Sequence, residues 1–251
     1  MKWTLLLTLF TTFTAKAWGP VGHVIVAGIA QQYLTPQTKT KVTQLLGRDT
    51  LMSISNWPDK IKDKPQYRHT KPWHYVTIPD GLTYHTCRRS SQGAVVEAIE
   101  RMTLQLNNPR STHQQRQEAL AYLVHFIGDL HQPLHVGRSG DTGGTALQLR
   151  WGRYRTDLHE IWDVFLPPAR PENLMRQLAT FSPREVVAWG AGQPSDWAHE
   201  AMELRPIVYT YGPTHVRGWE DRYLTTTGAT VNEQFQKGGA RLAHWLNTRM
   251  R

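Results

Sequence analysis

Cysteine is almost absent: Cys87 is the only one in 251 residues. A lone cysteine forms no internal disulfide, and without clustered thiols a structural zinc finger is excluded. The fold must rest on a hydrophobic core, on a metal held by other residue types, or on both. Long apolar runs are also missing. The most apolar stretch, Leu5 to Phe10, is too short to cross a bilayer. There is no internal repeat, low-complexity tract or long linker, which argues against solenoid and fibrous architectures. Acidic residues are scarce: 20 Asp and Glu face 29 Lys and Arg, a formal charge of +9. That balance suits a polyanionic partner such as nucleic acid or an anionic lipid surface, although it also serves plain solubility.

Lys2, the apolar run and the closing Ala15-Lys16-Ala17 have the layout of a secretory signal peptide. The expectation is a leader over 1–17, cleavage after Ala17, a single domain over 18–251, and a secreted or periplasmic product. Helical spacing of apolar residues dominates that domain. It predicts helices over 21–34, 37–46, 92–106, 114–129, 157–165, 171–180, 183–204 and 232–249. Thr35 and Pro36 read as the cap and first turn of the second, and Gly47 as its stop. Two β-like stretches, 73–78 and 145–151, complete a mainly α fold: a single compact helical domain with at most a small β-hairpin.

Twelve histidines are spread along the chain. His125 and Asp129 stand four residues apart, so on a helix they share a face and both can reach one cation. His159 and Asp163 repeat the spacing. His131 and His135 are also four apart, but Pro133 between them ends or bends the helix and sends His135 elsewhere. A single His-x-x-x-Asp is more often a surface pair or a satisfied core histidine. Two such pairs with His135, set among Leu123, Val124, Phe126, Ile127, Ile161, Trp162 and Val164, shift the balance. Imidazole and carboxylate in apolar surroundings need partners. Metal coordination supplies them, and so does an ordinary ion pair. His and Asp donors suit Zn²⁺, and mixed ligation with room for water suits a catalytic site.

Taken in order, the motifs Trp18-Gly19-Pro20-Val21-Gly22-His23, Asn56-Trp57-Pro58-Asp59, Trp73-His74-Tyr75, His125-Phe126-Ile127-Gly128-Asp129-Leu130-His131-Gln132-Pro133-Leu134-His135 and Asp157-Leu158-His159-Glu160-Ile161-Trp162-Asp163 resemble the zinc-dependent single-strand nucleases of the S1/P1 type. These share a superfamily with bacterial zinc phospholipases C. No single piece is specific; the ordered set is. The resemblance implies a helical domain with a cleft holding three zinc ions. Asp59, His74, His125 and Asp129 would bind the first, and His135, His159 and Asp163 the second. Trp18, His23 and Asp129 would bind the third, with Trp18 using its α-amino group and carbonyl oxygen once Ala17 is removed. His131 is not a ligand in that pattern and reads as a packing residue, and the remaining histidines as ordinary ones.

The resemblance further implies hydrolysis of single-stranded DNA and RNA to 5′-phosphate products, with 3′-nucleotidase activity. Asp59 would orient the attacking water, Lys62 would contact phosphate, and Tyr75 would stack on a base. Pro58 and Asp157 stand where the pattern often has Ala and Asn, and two further departures bear on substrate. Thr145 follows Gly143-Gly144 where an Asn commonly contacts phosphate, and its hydroxyl lacks the amide fork. Thr77 replaces an Asp that reads the base edge. Two other readings stay open: a zinc phospholipase C on the same scaffold, and a non-catalytic zinc- or polyanion-binding protein. Asp163, where the phospholipases have Glu, favours the nuclease. A monomer without stable membrane association is expected.

Overall fold

The computed structural model describes residues 18–88, 90–212 and 214–250. The leader expected over 1–17 lies outside the described residues. The domain is built around α6 (His113–Leu130). Thr112 accepts from the Gln115 amide while the Gln115 side chain reaches back to the Thr112 amide, a capping box that fixes where the helix starts. From Ala119 to Leu130 every residue of α6 is buried. A helix apolar on all sides belongs at the centre, with neighbours all round. α5 (Val95–Asn107) packs along it, and α1 (Pro20–Gln32) and the long α12 (Trp219–Arg249) close over another side. α1 and α12 approach closely because Gly239 has no side chain: a Cβ there would stand 2.4 Å from Ile29 Cγ2.

The second helix, α2 (Pro36–Leu46), starts and stops where expected: Thr35 accepts from the Thr38 amide, and Gly47 takes a positive φ of 66°. Short helices α3 (Leu51–Ile54) and α4 (Trp57–Ile61) and a 3₁₀ helix over Pro65–His74 cross the front of the domain. Trp73 and His74, at the start of the stretch expected as β over 73–78, are therefore the end of that 3₁₀ helix. The strand within it is β1 (Val76–Thr77), paired in parallel with β2 (Val136–Gly137). β3 (Gln148–Trp151) and β4 (Tyr154–Asp157) form an antiparallel hairpin. It leads into α7 (Leu158–Glu160) and a π-helical turn over Ile161–Phe165. The mainly α expectation with a small hairpin holds.

Most expected helices are met within about three residues, and two differ more widely. The segment 183–204 divides into α9 (Pro183–Trp189) and α10 (Pro194–Glu203), after α8 (Pro171–Leu178). Gly190 lies against His244, where a Cβ would stand 2.3 Å from His244 Cβ; Gly192 has a φ of 85°, and Pro194 starts the next helix. The last helix begins at Trp219 rather than at 232, after the short α11 (Arg205–Val208). Its early threonines mask it, because β-branched residues weaken a helical pattern. In the fold Thr225, Thr226 and Thr227 donate to the carbonyls of Asp221, Arg222 and Tyr223, four residues back, and so stay inside the helix. Among the described residues no helix is long and apolar enough to span a membrane.

Candidate metal centre

Four elements bring ligand atoms to the inner end of one cleft. α6 supplies His125 and Asp129, with His125 Nε2 3.4 Å from Asp129 Oδ2. The 3₁₀ helix ends on His74, whose Nδ1 lies 3.0 Å from Asp129 Oδ2 and 3.1 Å from His125 Nε2. α4 presents Asp59, its Oδ1 3.6 Å from His125 Nε2, and α1 presents His23, its Nε2 3.3 Å from Asp129 Oδ1. His23 stacks on His125 with ring centroids 3.9 Å apart. Asp129 thus faces His23 with one oxygen and His74 and His125 with the other.

A second group lies beside the first. His135 rides the 3₁₀ turn Pro133–His135 that follows α6, so Pro133 redirects it away from the helix axis. Its ring centroid is 5.0 Å from that of His159, and His159 Nε2 is 3.2 Å from Asp163 Oδ2. The groups His23–Asp59–His125, His74–His125–Asp129 and His135–His159–Asp163 each place ligand atoms within 4.8 Å of one another, a spacing that one cation can bridge.

Backbone carbonyls orient three of the rings. His125 Nδ1 donates to Ser55 O (2.7 Å), His135 Nδ1 to His74 O (2.6 Å) and His159 Nδ1 to Gly143 O (2.7 Å). A carbonyl only accepts, so each Nδ1 carries the proton, and in the neutral ring Nε2 is left as a lone pair for the centre. Against its burial, the carboxylates of Asp129 and Asp59 raise His125, whose Nε2 must give up its proton to bind a cation. Gln132 orients a carboxylate: its Nε2 donates to Asp163 Oδ1 (2.8 Å) and its Oε1 accepts from the Leu134 amide (2.6 Å).

The electrostatics match a cation site. Burial pushes Asp129 well above the usual carboxylate range despite His125 beside it, and lifts Asp163 to about 6. Burial would raise Asp59 too, but the charge and hydrogen bond of His125 and the charge of Lys62 outweigh it and hold Asp59 well below that range. Burial, reinforced by neighbouring imidazoles, lowers His23, His74 and His135 well below 6.5. Those three are neutral at physiological pH, the state in which histidine binds metal. Both ring nitrogens of His23, His74 Nε2, Asp129 Oδ1 and His135 Nε2 are buried without a hydrogen-bond partner. Such orphaned atoms are costly in a protein interior, and a divalent cation among them removes the cost. Nitrogen and oxygen donors with no sulfur fit zinc.

The ligands face a cleft of about 580 Å³ lined by Lys62, Lys71, Tyr75, Thr77, Arg138 and Thr142 among others. Lys62 lies at its floor, with Nζ 2.7 Å from Asp59 Oδ1. Tyr75 stands half exposed at the mouth. Thr145 is placed differently: its hydroxyl donates to Thr142 O (3.0 Å), and the wall of the cleft is formed by Thr142 and Gly143. Trp18 is fully buried, its ring against Phe235 (4.6 Å) and Trp162 (6.4 Å). The next residue, Gly19, donates its amide to Asp163 O (3.0 Å), which ties the 18–19 segment to a ligand-bearing turn. His131 points away from the cleft, donating to Ile127 O (2.6 Å) and accepting from Arg241 Nη1 (3.0 Å).

Sequence reasoning missed the supporting residues. Gly128 lies under His23, where a Cβ would stand 2.7 Å from its Nδ1. A glycine inside an apolar helix, as here between Ile127 and Asp129, is the one signal that marks such a close approach. Gln132 gave a fainter one, a polar residue just before Pro133. The Ser55, His74 and Gly143 carbonyls carry no sequence signal, since every residue has one.

A model of the S1/P1 nuclease family matches residues 18–251. The chain belongs to the S1/P1 nuclease family. It is 34% identical to Endonuclease 4 of Arabidopsis thaliana, over 93% of this chain and 89% of that protein. It is 26% identical to Nuclease P1 of Penicillium citrinum, over 92% and 97%, and 32% identical to Nuclease S1 of Aspergillus oryzae over 64% and 58%. As an S1/P1 nuclease the chain is a metal-dependent hydrolase acting as an endonuclease, and its buried His and Asp groups are the residues able to hold the metal.

Proposed function

We propose that this S1/P1 nuclease is an exported three-zinc phosphodiesterase that cuts single-stranded DNA and RNA to 5′-phosphate products and also removes 3′-phosphates from nucleotides. The observation that carries the reading is the pair of buried ligand groups around Asp129 and Asp163, opening on a cleft that holds Lys62 and Tyr75. Asp59, His74, His125 and Asp129 hold one ion, and His135, His159 and Asp163 a second. His23 and Asp129 hold a third together with the α-amino group and carbonyl of Trp18. Bound zinc supplies a Lewis acid for the phosphate and lowers the pKa of water.

The chain's own groups do the rest. Asp59, held ionised by its cationic neighbours, accepts a hydrogen bond from the attacking water and orients it toward phosphorus. Lys62 is already oriented by Asp59 and offers its ammonium to a non-bridging phosphate oxygen. Tyr75 presents an exposed ring for a base, a contact available to any base because each has a π face. Thr145 contacts phosphate only if its hydroxyl leaves Thr142 O. The protein acts as a monomer and forms no stable association with membranes.

The test is expression with and without the native signal junction, elemental analysis for zinc, and assays on single-stranded DNA, RNA and 3′-nucleotides. Three zinc ions and activity confined to the cleaved form are expected. Full activity in a chain retaining residues ahead of Trp18 would refute the α-amino ligand. Undiminished turnover by His125→Ala would refute the site. Hydrolysis of phosphatidylcholine without hydrolysis of single strands would move the assignment to a phospholipase.

A further inference from the structure

The β3–β4 hairpin contains a pairing that folding alone disfavours. Its register sets Arg150 directly opposite Arg155, and like charges in that arrangement repel. Both arginines are exposed, as is Arg153 at the turn. Among the described residues none of the three has a carboxylate partner; Arg153 instead lies over the Tyr154 ring. Asp157 is on the same face as the pair, but its Oδ1 is engaged by the Glu160 amide (2.8 Å).

The opposite face of the hairpin anchors it. Trp151 packs on Trp219 and Phe165, with ring centroids 5.4 and 5.6 Å away, and Thr156 is buried with its hydroxyl donating to Glu160. The turn amide of Gly152 is held by Glu220 (2.9 Å). The arginines are therefore carried on a fixed ledge rather than on a loose arm. Strand alternation puts Gln148 on their face, and its Nε2 donates to Thr145 O (3.0 Å), beside the Thr142–Gly143 wall of the cleft. Arg155 is four residues from His159, so its backbone is at most about 14 Å from that ligand's.

We propose that the outer face of this hairpin, Arg150 and Arg155 with Arg153 at the turn, is a phosphate-binding ledge for a single-stranded nucleic acid emerging from the metal cleft. The proposal rests on the nuclease reading. A polyanion lying across the pair converts its repulsion into attraction at two successive phosphates, and an arginine fork suits a phosphate better than a lysine does. It makes affinity depend on strand length, since each added nucleotide offers the ledge a further phosphate.

The experiment uses the zinc-loaded full protein, with R150Q/R155Q against a charge-matched control, R48Q/R110Q, altered elsewhere on the surface. KM is measured on oligo(dT) of two to sixteen nucleotides, and binding by anisotropy on a labelled phosphorothioate sixteen-mer at several salt concentrations. The wild type is expected to tighten with length. R150Q/R155Q should lose that gain, with KM on the long strand up about 10-fold. Its slope of log affinity against log salt should be shallower by about 1.4, the value for two single-strand phosphate contacts. R150K/R155K should restore the slope, and R48Q/R110Q should keep the length dependence. Wild-type length dependence and slope in R150Q/R155Q would overturn the proposal. So would an equal loss in the control, or an effect seen only on phosphatidylglycerol vesicles. Wild-type protein that cuts no oligonucleotide yet binds the phosphorothioate strand through these arginines would refute the nuclease reading and leave the ledge standing.

Discussion

Gly128 contributes to the centre by lacking a side chain. Because a Cβ there would stand 2.7 Å from His23 Nδ1, Gly128→Ala is expected to displace His23, remove about one metal ion per chain and cut turnover about 10–100-fold, the usual scale for losing a metal's support. Elemental analysis beside kinetics checks it; full metal content in the variant would contradict it. Gln132 acts through Asp163. Gln132→Leu strips the donor from Asp163 Oδ1 and the acceptor from the Leu134 amide. Metal affinity at that group should fall about 10–100-fold in chelator competition. Gln132→Glu keeps the Leu134 contact but sets a carboxylate against Asp163, and should be worse for metal than for folding. Lys62→Met should raise KM for single strands while the zinc count stays the same, because in the proposed reading Lys62 meets substrate and not the ions.

At the scale of elements, the centre depends on how α1 and α12 approach. α1 carries His23, and Gly239 of α12 lies against Ile29. Gly239→Val forces the helices apart. It should destabilise the protein by about 1–3 kcal/mol, the typical cost of overpacking, in urea unfolding, and lower metal content through His23 as well. The elements themselves were legible to different degrees. α2 and α6 announced themselves through Thr35, Gly47 and apolar spacing. The start of α12 did not, because Thr225, Thr226 and Thr227 read as poor helix formers until their hydroxyls find carbonyls four residues back. The break between α9 and α10 was obscured by apolar residues on both sides, although Gly190, Gly192 and Pro194 were there to be read.

For the molecule as a whole, the metal centre is part of the core. His23, His125 and Asp129 are completely buried, so stripping the metal leaves polar atoms in the interior with no partner. Chelation should lower Tm by more than about 10 °C, since each site loaded at 100 times its Kd contributes about 2.7 kcal/mol and a domain of this size shifts about 2–4 °C per kcal/mol. Differential scanning calorimetry with EDTA and then with added zinc checks both the loss and the recovery. A Tm that ignores EDTA would mean that the buried ligands are satisfied without metal.

The sequence by itself determined the kind of donors and much of their grouping. With a single cysteine the candidate ligands come from histidines and carboxylates, and four-residue spacing on a helix brings His125 to Asp129, and His159 to Asp163, whatever the rest of the fold does. Tertiary structure decided the remainder. Only packing sets His23 from α1 over His125, lowers His74 from a 3₁₀ helix onto Asp129, and aims Asp59 from α4 at the same point, because contacts between distant segments leave no periodic trace in the chain. Packing also decided which imidazole nitrogen faces inward, through carbonyls that any residue could have offered, and which exposed arginines stand opposed without a counter-ion, which depends on the register of one hairpin.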